Sequence, residues 1–490
     1  MLKFISLLGT NAYWPCNYVM DNNRAEDCCY IQEALIKLLA SKGLEFDSVL
    51  IFTTKEAYEK NWVKNEYGER SKQPRQGLKM ILESIFARDP QRVRNIPIPG
   101  GNSEEELWQL FDIFMANIEE GDEVVLDITH SFRFLPMLTF IALCFAKVVK
   151  KCQIKGIYYG AFEVLGSLDR IKEMPMDERN APVFDLTPFA VLFEWVIGVD
   201  RYLKTGDASI VEQLTRRESG RLSKRIKEDV SRSEFPTDAA SLFRDPRLLR
   251  RLAEAMVQFS AAVFTCRGQE LSEKALELKG AIEEVVESGA YEHIKPLAQM
   301  VDLLKSRFDR FGRDEHADML EVVKWCLQNN MYQQGLTILE EGLISFACDM
   351  YGLDKRAREI REEINRYAYR IGNNVDAELV RNLFIDKDFG ATREFYQLLY
   401  DICSIRNDIN HAGWVMHPAR PSTFERKLGE FLNKAQEIMC CGKSERQMLL
   451  IFSHELTEPQ KLQAKDKLGV TRFVPLSPAL LKKWSNIPHD

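Results

Sequence analysis

None of the 11 cysteines forms a C-x-x-C pair, which argues against a zinc ribbon or a disulfide framework. The adjacent pairs Cys28-Cys29 and Cys440-Cys441 have poor geometry for sharing a metal, and most cysteines read as small core residues. Histidine is scarce, seven in all, with no H-E-x-x-H or similar spacing, so no structural metal is expected. Long apolar runs are missing too. The longest, Met137 to Val149, is interrupted by Lys147 and is too short to span a bilayer. The first ten residues lack a full signal-peptide layout and read as a strand, so the expected location is the cytoplasm, with no membrane partner. There is no excess of positive charge: 66 basic residues stand against 73 acidic ones, a net charge of -7. A standing nucleic-acid binder would be basic. Any contact with RNA is therefore expected through a local patch, and transiently.

What is present fits a soluble chain of two or three domains: 490 residues, 45% hydrophobic, with no low-complexity tract. Lys3 to Leu8, Ser48 to Thr53, Glu123 to Thr129 and Gln153 to Tyr159 read as buried strands, and Ile96 to Pro99 as a short one. Between them, Cys28 to Ala40, Glu104 to Ile118 and Leu135 to Val149 have helical character, and Tyr13 and Trp14 sit in an aromatic-rich turn. Strands alternating with helices predict an α/β, doubly wound, mainly parallel sheet, Rossmann-like in outline, over residues 1–188. No G-x-G-x-x-G follows the first strand, which argues against a dinucleotide cofactor. Such sheets bind ligands at the carboxyl ends of their strands. Two ends stand out: Gly9-Thr10-Asn11, and Asp127-Ile128-Thr129-His130-Ser131-Phe132-Arg133. Hydroxyls, backbone N–H groups and an arginine suit phosphates or purine edges. The plainer alternative is that Asp127, Thr129 and Ser131 cap the next helix.

Residues 189–445 are helical in pattern, with Val322 to Ala347 and Arg393 to Ile409 the strongest stretches. Arg216 to Arg251 is rich in arginine and lysine, but interspersed acids make a solvated face the default reading and an RNA-contacting surface the alternative. Phe395, Leu398, Leu399, Ile402, Ile405 and Ile409 recur at three- and four-residue steps, a buried helical face. Ser404, Asn407 and His411 fall on another face. Arg406 lies beside it, able to reach over where the helix loosens before Gly413. Arg406 as phosphate clamp, His411 as an imidazole titrating near neutrality and Asn407 as a polar amide could together cleave a phosphodiester without metal. The plainer reading is a helix end with a solvated histidine and a surface arginine. Residues 446–490 start a new unit: Gln447 to Ser453 and Arg472 to Leu476 read as strands around a helix at Pro459 to Leu468, too little chain to bury a core alone.

Asp127-Ile128-Thr129-His130-Ser131-Phe132-Arg133 resembles the D-x-T-H-x-x-R signature of CRISPR-associated Rossmann-fold (CARF) sensors. Tyr158-Tyr159-Gly160-Ala161 and Phe184-Asp185-Leu186-Thr187 are similar to that family's later strand and exit segment. Arg406-Asn407-Asp408-Ile409-Asn410-His411 resembles the R-x4-H motif of HEPN ribonuclease domains, and Tyr332 to Thr337 the long helix that precedes it. The resemblance, to CARF–HEPN ancillary ribonucleases of type III CRISPR systems, covers roughly residues 1 to 440. It implies a CARF domain that binds a cyclic oligoadenylate, cyclic tetra-adenylate first and cyclic hexa-adenylate second, through Gly9, Thr10, Asn11, Thr129, His130, Ser131 and Arg133. It implies a homodimer or higher homo-oligomer, whose paired Arg406 and His411 residues cut single-stranded RNA by attack of the 2′-hydroxyl, with Asn407 orienting. No cofactor beyond the activator is expected. Two alternatives remain: a non-catalytic sensor or assembly protein, and a ring nuclease acting within CARF through Thr10 or Thr129. The tail weakly resembles the opening of a small CRISPR-associated ring nuclease, through Phe452 to Thr457 and Trp484 to Pro488.

Overall fold

Eight strands build one sheet: β1 Leu2–Leu8, β2 Cys16–Met20, β3 Asn23–Cys28, β4 Ser48–Thr53, β5 Val93–Pro97, β6 Glu123–Asp127, β7 Gln153–Gly160 and β8 Asn180–Asp185, in the order β3-β2-β8-β7-β6-β1-β4-β5. The computed structural model describes residues 1–64, 76–129, 134–232, 243–351, 354–372 and 389–440. The chain divides into two units, Met1–Glu194 and Trp195–Asp490.

Strands β5, β4, β1, β6 and β7 run parallel. Beyond them β8 lies antiparallel to β7 and parallel to β2, and β2 pairs antiparallel with β3. Helices α1 (Ile31–Ala40) and α2 (Leu78–Ile85) cover one face. Helices α3 (Glu104–Ala116) and α4 (Phe134–Val149) cover the other. The strand side chains alternate between the two cores: Phe4, Val49, Ile51 and Val125 face α1, while Ile5, Leu50, Phe52 and Leu126 face α3 and α4. Burial on both faces is why these strands read as unbroken apolar runs. At about 1.5–3 kcal/mol for each fully buried large aliphatic side chain, the two cores supply the main stabilisation of the sheet.

One stretch departs from the sequence reading. The helix expected from Cys28 starts at Ile31, and residues 16–28, of which 16–27 carry no element in the sequence reading, form the hairpin β2–β3. Asp21, at φ 53°, turns the hairpin. Strand β3 buries Ala25 and Cys28 alone, so it carries too little apolar signal to be seen by periodicity.

Helix α5 (Thr187–Thr205) runs through the division point. In the second unit follow α6 (Ser209–Arg232), α7 (Arg244–Phe264), α8 (Leu271–Ser288), α9 (Lys295–Phe308), α10 (Glu315–Gln328), α11 (Tyr332–Tyr351), α12 (Arg358–Gly372), α13 (Phe389–Asn410) and α14 (Pro421–Cys440). The Val322 to Ala347 stretch is thus two helices, broken where Asn330 takes a left-handed φ of 58°, a conformation asparagine tolerates better than most residues. Trp325 anchors one core, with Tyr202, Phe259 and Phe308 centroids 5.6, 5.4 and 5.6 Å away. In a second core Leu339 and Leu343 of α11, Leu398, Leu399 and Ile402 of α13, and Leu428 and Phe431 of α14 are all buried. Most of the basic residues between 216 and 251 stand beside partners. Arg216 meets Glu212 and Glu254, Arg221 meets Glu218, Arg251 meets Glu284, and Arg250 donates to Ser219 and Ser223. That is a solvated, neutralised face.

Candidate functional site

Chain order reverses between β1 and β6: β4 and β5 follow on one side of β1, β6 and β7 on the other. A crevice opens at the carboxyl ends of strands at such a switch point, and Gly9-Thr10-Asn11 and the described part of the second segment, Asp127 to Thr129, lie there. Its floor is tied together by a buried carboxylate. Asp127, with no exposed surface, accepts from Ser6 Oγ at 2.7 Å, from the Thr129 amide at 3.0 Å and from Thr129 Oγ1 at 2.5 Å. Thr129 Oγ1 in turn accepts from the Gly160 amide at 2.8 Å, and Gln32 Nε2 donates to Ser6 Oγ and the Leu7 carbonyl. One carboxylate therefore fastens β1, β6 and β7 at their tips. Burial pushes its pKa up to about 6, against the lowering pull of the Ser6 and Thr129 hydrogen bonds.

The β1 side is pinned from below. The Gly9 amide donates to Tyr13 Oη at 2.9 Å, and Asn61 Nδ2 donates to the carbonyls of Gly9 and Asn11 at 2.9 and 3.0 Å. Gly9 and Thr129 therefore serve the crevice as framework, with their polar groups already engaged. Thr10 is half-buried and Asn11 is exposed, and these side chains are available to a ligand. His130, Ser131 and Arg133 lie outside the described residues. Asp127 serves as a cross-strand tie to Ser6, beyond any capping role. Sequence reasoning missed Ser6, Gln32, Tyr13 and Asn61. A serine inside the apolar run of β1 was the available signal.

On α4, Met137, Ile141, Phe145 and Val148 form a stripe of large apolar side chains exposed by 47–66%. Steps of three and four residues place them on one helical face, an uncommon use of solvent-facing surface in a monomer.

In the second unit, Arg406 is not the surface residue of the plainer reading, nor does it swing toward His411. Its Nε and Nη2 donate to Glu340 Oε2 and Oε1 at 2.7 and 2.6 Å, a bidentate pair reaching from α13 to α11. Glu340 is fully buried, and Arg406 keeps 24% of its side-chain surface. The carboxylate raises the already high pKa of the guanidinium. Helix α13 ends at Asn410, and the chain reverses through Ala412 and Gly413, both at positive φ. The His411 amide donates to the Asn407 carbonyl at 2.8 Å, while its ring is exposed. Asp408, buried, accepts from the Ala419 amide at 2.6 Å and fixes the returning loop. Asn407 and Ser404 line a cleft of about 380 Å³ together with Tyr369, Tyr400 and His417. Asn407 is thus the catalytic candidate that reaches the cleft; Arg406 and His411 are not among its lining residues. Glu340 escaped sequence reasoning, its trace being the first of two adjacent acids, Glu340 and Glu341, that interrupt the largely apolar stretch Leu336 to Leu343.

Residues 3–163 match the family model described as CRISPR system endoribonuclease Csx1, CARF domain. That match falls within the first unit. Its eight-stranded mixed sheet, flanked by helices, fits that Rossmann-like class. The chain is 26% identical over 320 residues to CRISPR-associated protein MJ1674 of Methanocaldococcus jannaschii, an alignment covering 64% of this chain and 41% of that protein. The chain thus spans well under two thirds of the relative's length. Both matches support a CRISPR CARF protein. Residues 446–490, which lie outside the described residues, match the family model described as uncharacterized protein MJ1673 family. Among the described residues no helix is long and apolar enough to cross a membrane.

Proposed function

We propose that this protein is a cyclic-oligoadenylate-activated endoribonuclease of type III CRISPR defence. The CARF match over residues 3–163 carries the reading, because it joins the switch-point crevice to a family described as an endoribonuclease. In this reading the crevice holds the ring through Thr10, Asn11 and the groups that follow Thr129. Two copies pair through the apolar stripe of α4, so that a symmetric ring meets a symmetric dimer. Cyclic tetra-adenylate is the first candidate and cyclic hexa-adenylate the second.

Cleavage is assigned to the end of α13. The exposed His411 ring moves the proton in attack by the ribose 2′-hydroxyl, and Arg406 stabilises charge on the pentavalent phosphate. Glu340 occupies Nε and Nη2, leaving Nη1 to face a phosphate and holding the guanidinium plane fixed. Asn407 orients, and the products are a 2′,3′-cyclic phosphate and a 5′-hydroxyl, formed without metal. Activation requires that the ring bind the cleavage-competent arrangement more tightly than the resting one. The test is cleavage of a fluorescent single-stranded RNA in EDTA, with and without each ring. Cleavage that one ring size switches on supports the reading. Silence with every ring, alongside measured ring binding, refutes it.

The bidentate engagement of Arg406 favours one second reading, a sensor or assembly protein in which this ion pair is purely structural. A folded Arg406 variant that retains ring-stimulated cleavage would leave the arginine with that structural role alone.

A further inference from the structure

We propose that His417 is the general acid of the cleavage reaction, giving a proton to the leaving 5′-oxygen while His411 takes one from the 2′-hydroxyl. The assignment rests on the ribonuclease reading above and fills a role that reading leaves open. Attack by the 2′-oxygen forms its bond to phosphorus and breaks the bond from phosphorus to the 5′-oxygen. One proton must therefore leave the nucleophile and one must reach the departing oxygen. The two oxygens stand roughly in line on opposite sides of the phosphorus, so a single imidazole does not serve both at once.

Two histidines stand at the two ends of one short loop. His411 follows the last residue of α13, His417 lies on the returning limb, and both are exposed. Asp408 ties the two limbs together. Its carbonyl accepts from the Gly413 amide at 2.9 Å, and its carboxylate accepts from the Ala419 amide at 2.6 Å. The Trp414 amide donates to the His411 carbonyl at 3.0 Å. The limbs approach so closely that a Cβ on Gly413 would lie 3.7 Å from Pro418 Cβ. The loop thus folds the limb that carries His417 back toward the one that carries His411.

The two rings serve different surfaces. His417 lines the cleft together with Asn407, the orienting amide of the proposed reaction, whereas His411 is not among the lining residues. That division suits a base and an acid working from separate sides of one phosphate. Neighbouring groups are poorer donors. Burial pushes the Cys403 thiol in the cleft wall up to about 11, and Glu340 makes Arg406 hold its proton more firmly than usual. Asp408 spends its carboxylate on the loop. Histidine is the residue type whose charge ordinarily changes between pH 5 and 8, and His417 is the one histidine among the described lining residues.

A substrate whose leaving group needs no proton tests the role. Two labelled strands of 2′-O-methyl nucleotides carry a single ribonucleotide where the parent chain cuts. One has the natural 5′-oxygen at that linkage and the other a bridging 5′-sulfur, which departs as a thiolate. Each is incubated with the full chain and each cyclic oligoadenylate at saturation. His417→Asn should cut the oxygen strand about 10²–10⁴-fold more slowly than the parent, yet cut the sulfur strand within a few-fold of the parental rate. That rescue also shows the variant folded and activated. His411→Ala, lacking the base, should be slow on both strands. Parental cutting of the oxygen strand by His417→Asn overturns the assignment and moves the acid elsewhere, such as to a second copy's histidine. Equal slowing on both strands reduces His417 to a positioning residue and also overturns it. Sulfur rescue in Tyr369→Phe or Tyr400→Phe, with none in His417→Asn, would give the proton to a phenol instead. A parent that cuts neither strand under any ring ends the ribonuclease reading and this assignment with it, whereas an active parent matched by His417→Asn ends this assignment alone.

Discussion

Removing Arg406 should cost stability before it costs chemistry, and the size of that cost can be worked out. Arg406→Ala strands the carboxylate of Glu340, which has no exposed surface. Breaking a buried pair by deleting one partner costs about 3–5 kcal/mol. The stranded carboxyl can escape by taking up a proton, which sets a ceiling. For a glutamic acid of ordinary pKa ~4.3 this costs about 3.7 kcal/mol at pH 7, at 1.36 kcal/mol per unit. The penalty at pH 7 is therefore about 3–4 kcal/mol. At pH 5 protonation is cheaper and the penalty falls to about 1 kcal/mol. Glu340→Gln in the same chain removes the charge at its source, so the double variant should lie within about 1 kcal/mol of the parent at both pH values. The assay is urea unfolding followed by hydrogen exchange in peptides from α11 and α13, which reports this unit rather than the whole chain. A single-variant penalty below about 1 kcal/mol at pH 7, or one that does not shrink in acid, refutes the argument. The same pair of variants serves the function: a stable double variant that fails to cleave RNA assigns chemistry to Arg406, which the single variant cannot do.

His411→Ala removes an exposed ring, so its unfolding free energy should stay within about 0.5 kcal/mol of the parent. Ring-stimulated cleavage should fall about 10²–10⁴-fold, and parental cleavage by a folded variant would end the assignment. Burial holds Asp127 near pKa 6 against the ordinary 3.8, so the folded state binds the extra proton between those values. That contribution is complete below pH 4 and is lost as pH rises through 6, by up to about 3 kcal/mol. Asp127→Asn removes the titration, so thermal melting of the first unit should lose less on going from pH 4.5 to 7 than in the parent; an identical pH dependence would contradict this. Ile141→Asp places a charge in the apolar stripe of α4 and should shift sedimentation from dimer to monomer while the fold is kept; an unchanged dimer would assign pairing to another surface.

The parallel strands were legible because burial on both faces leaves runs such as Ser48 to Thr53 almost wholly apolar. Helices α3, α4 and α13 were legible because one face of each repeats at the helical period. The hairpin β2–β3 was not, because its outer strand buries two of six side chains and alternation cannot be heard over so little signal. The crevice was found by its small polar residues, but its organisation was not, since Ser6 and Asp127 meet 121 positions apart in the chain. The same limit hid Glu340, 66 residues from Arg406. Periodicity tells which face of a helix is buried, and it is silent on which charge waits there. It also favoured His411 as a neighbour of Ser404 and Asn407, whereas the loop that Asp408 draws back brings His417 to the cleft instead.

Helix α11 carries two consecutive acids with different duties. Glu340 grips Arg406 of α13, and Glu341 grips Arg361 of α12, whose guanidinium also donates to Ser345 Oγ and to the Lys355 and Glu341 carbonyls. Neighbouring side chains on a helix point about 100° apart, so one turn of α11 works as a double latch. Rotating or sliding α11 to release either neighbour must unseat both. The three helices are thereby bound to open together, and their amides should exchange with solvent as one block.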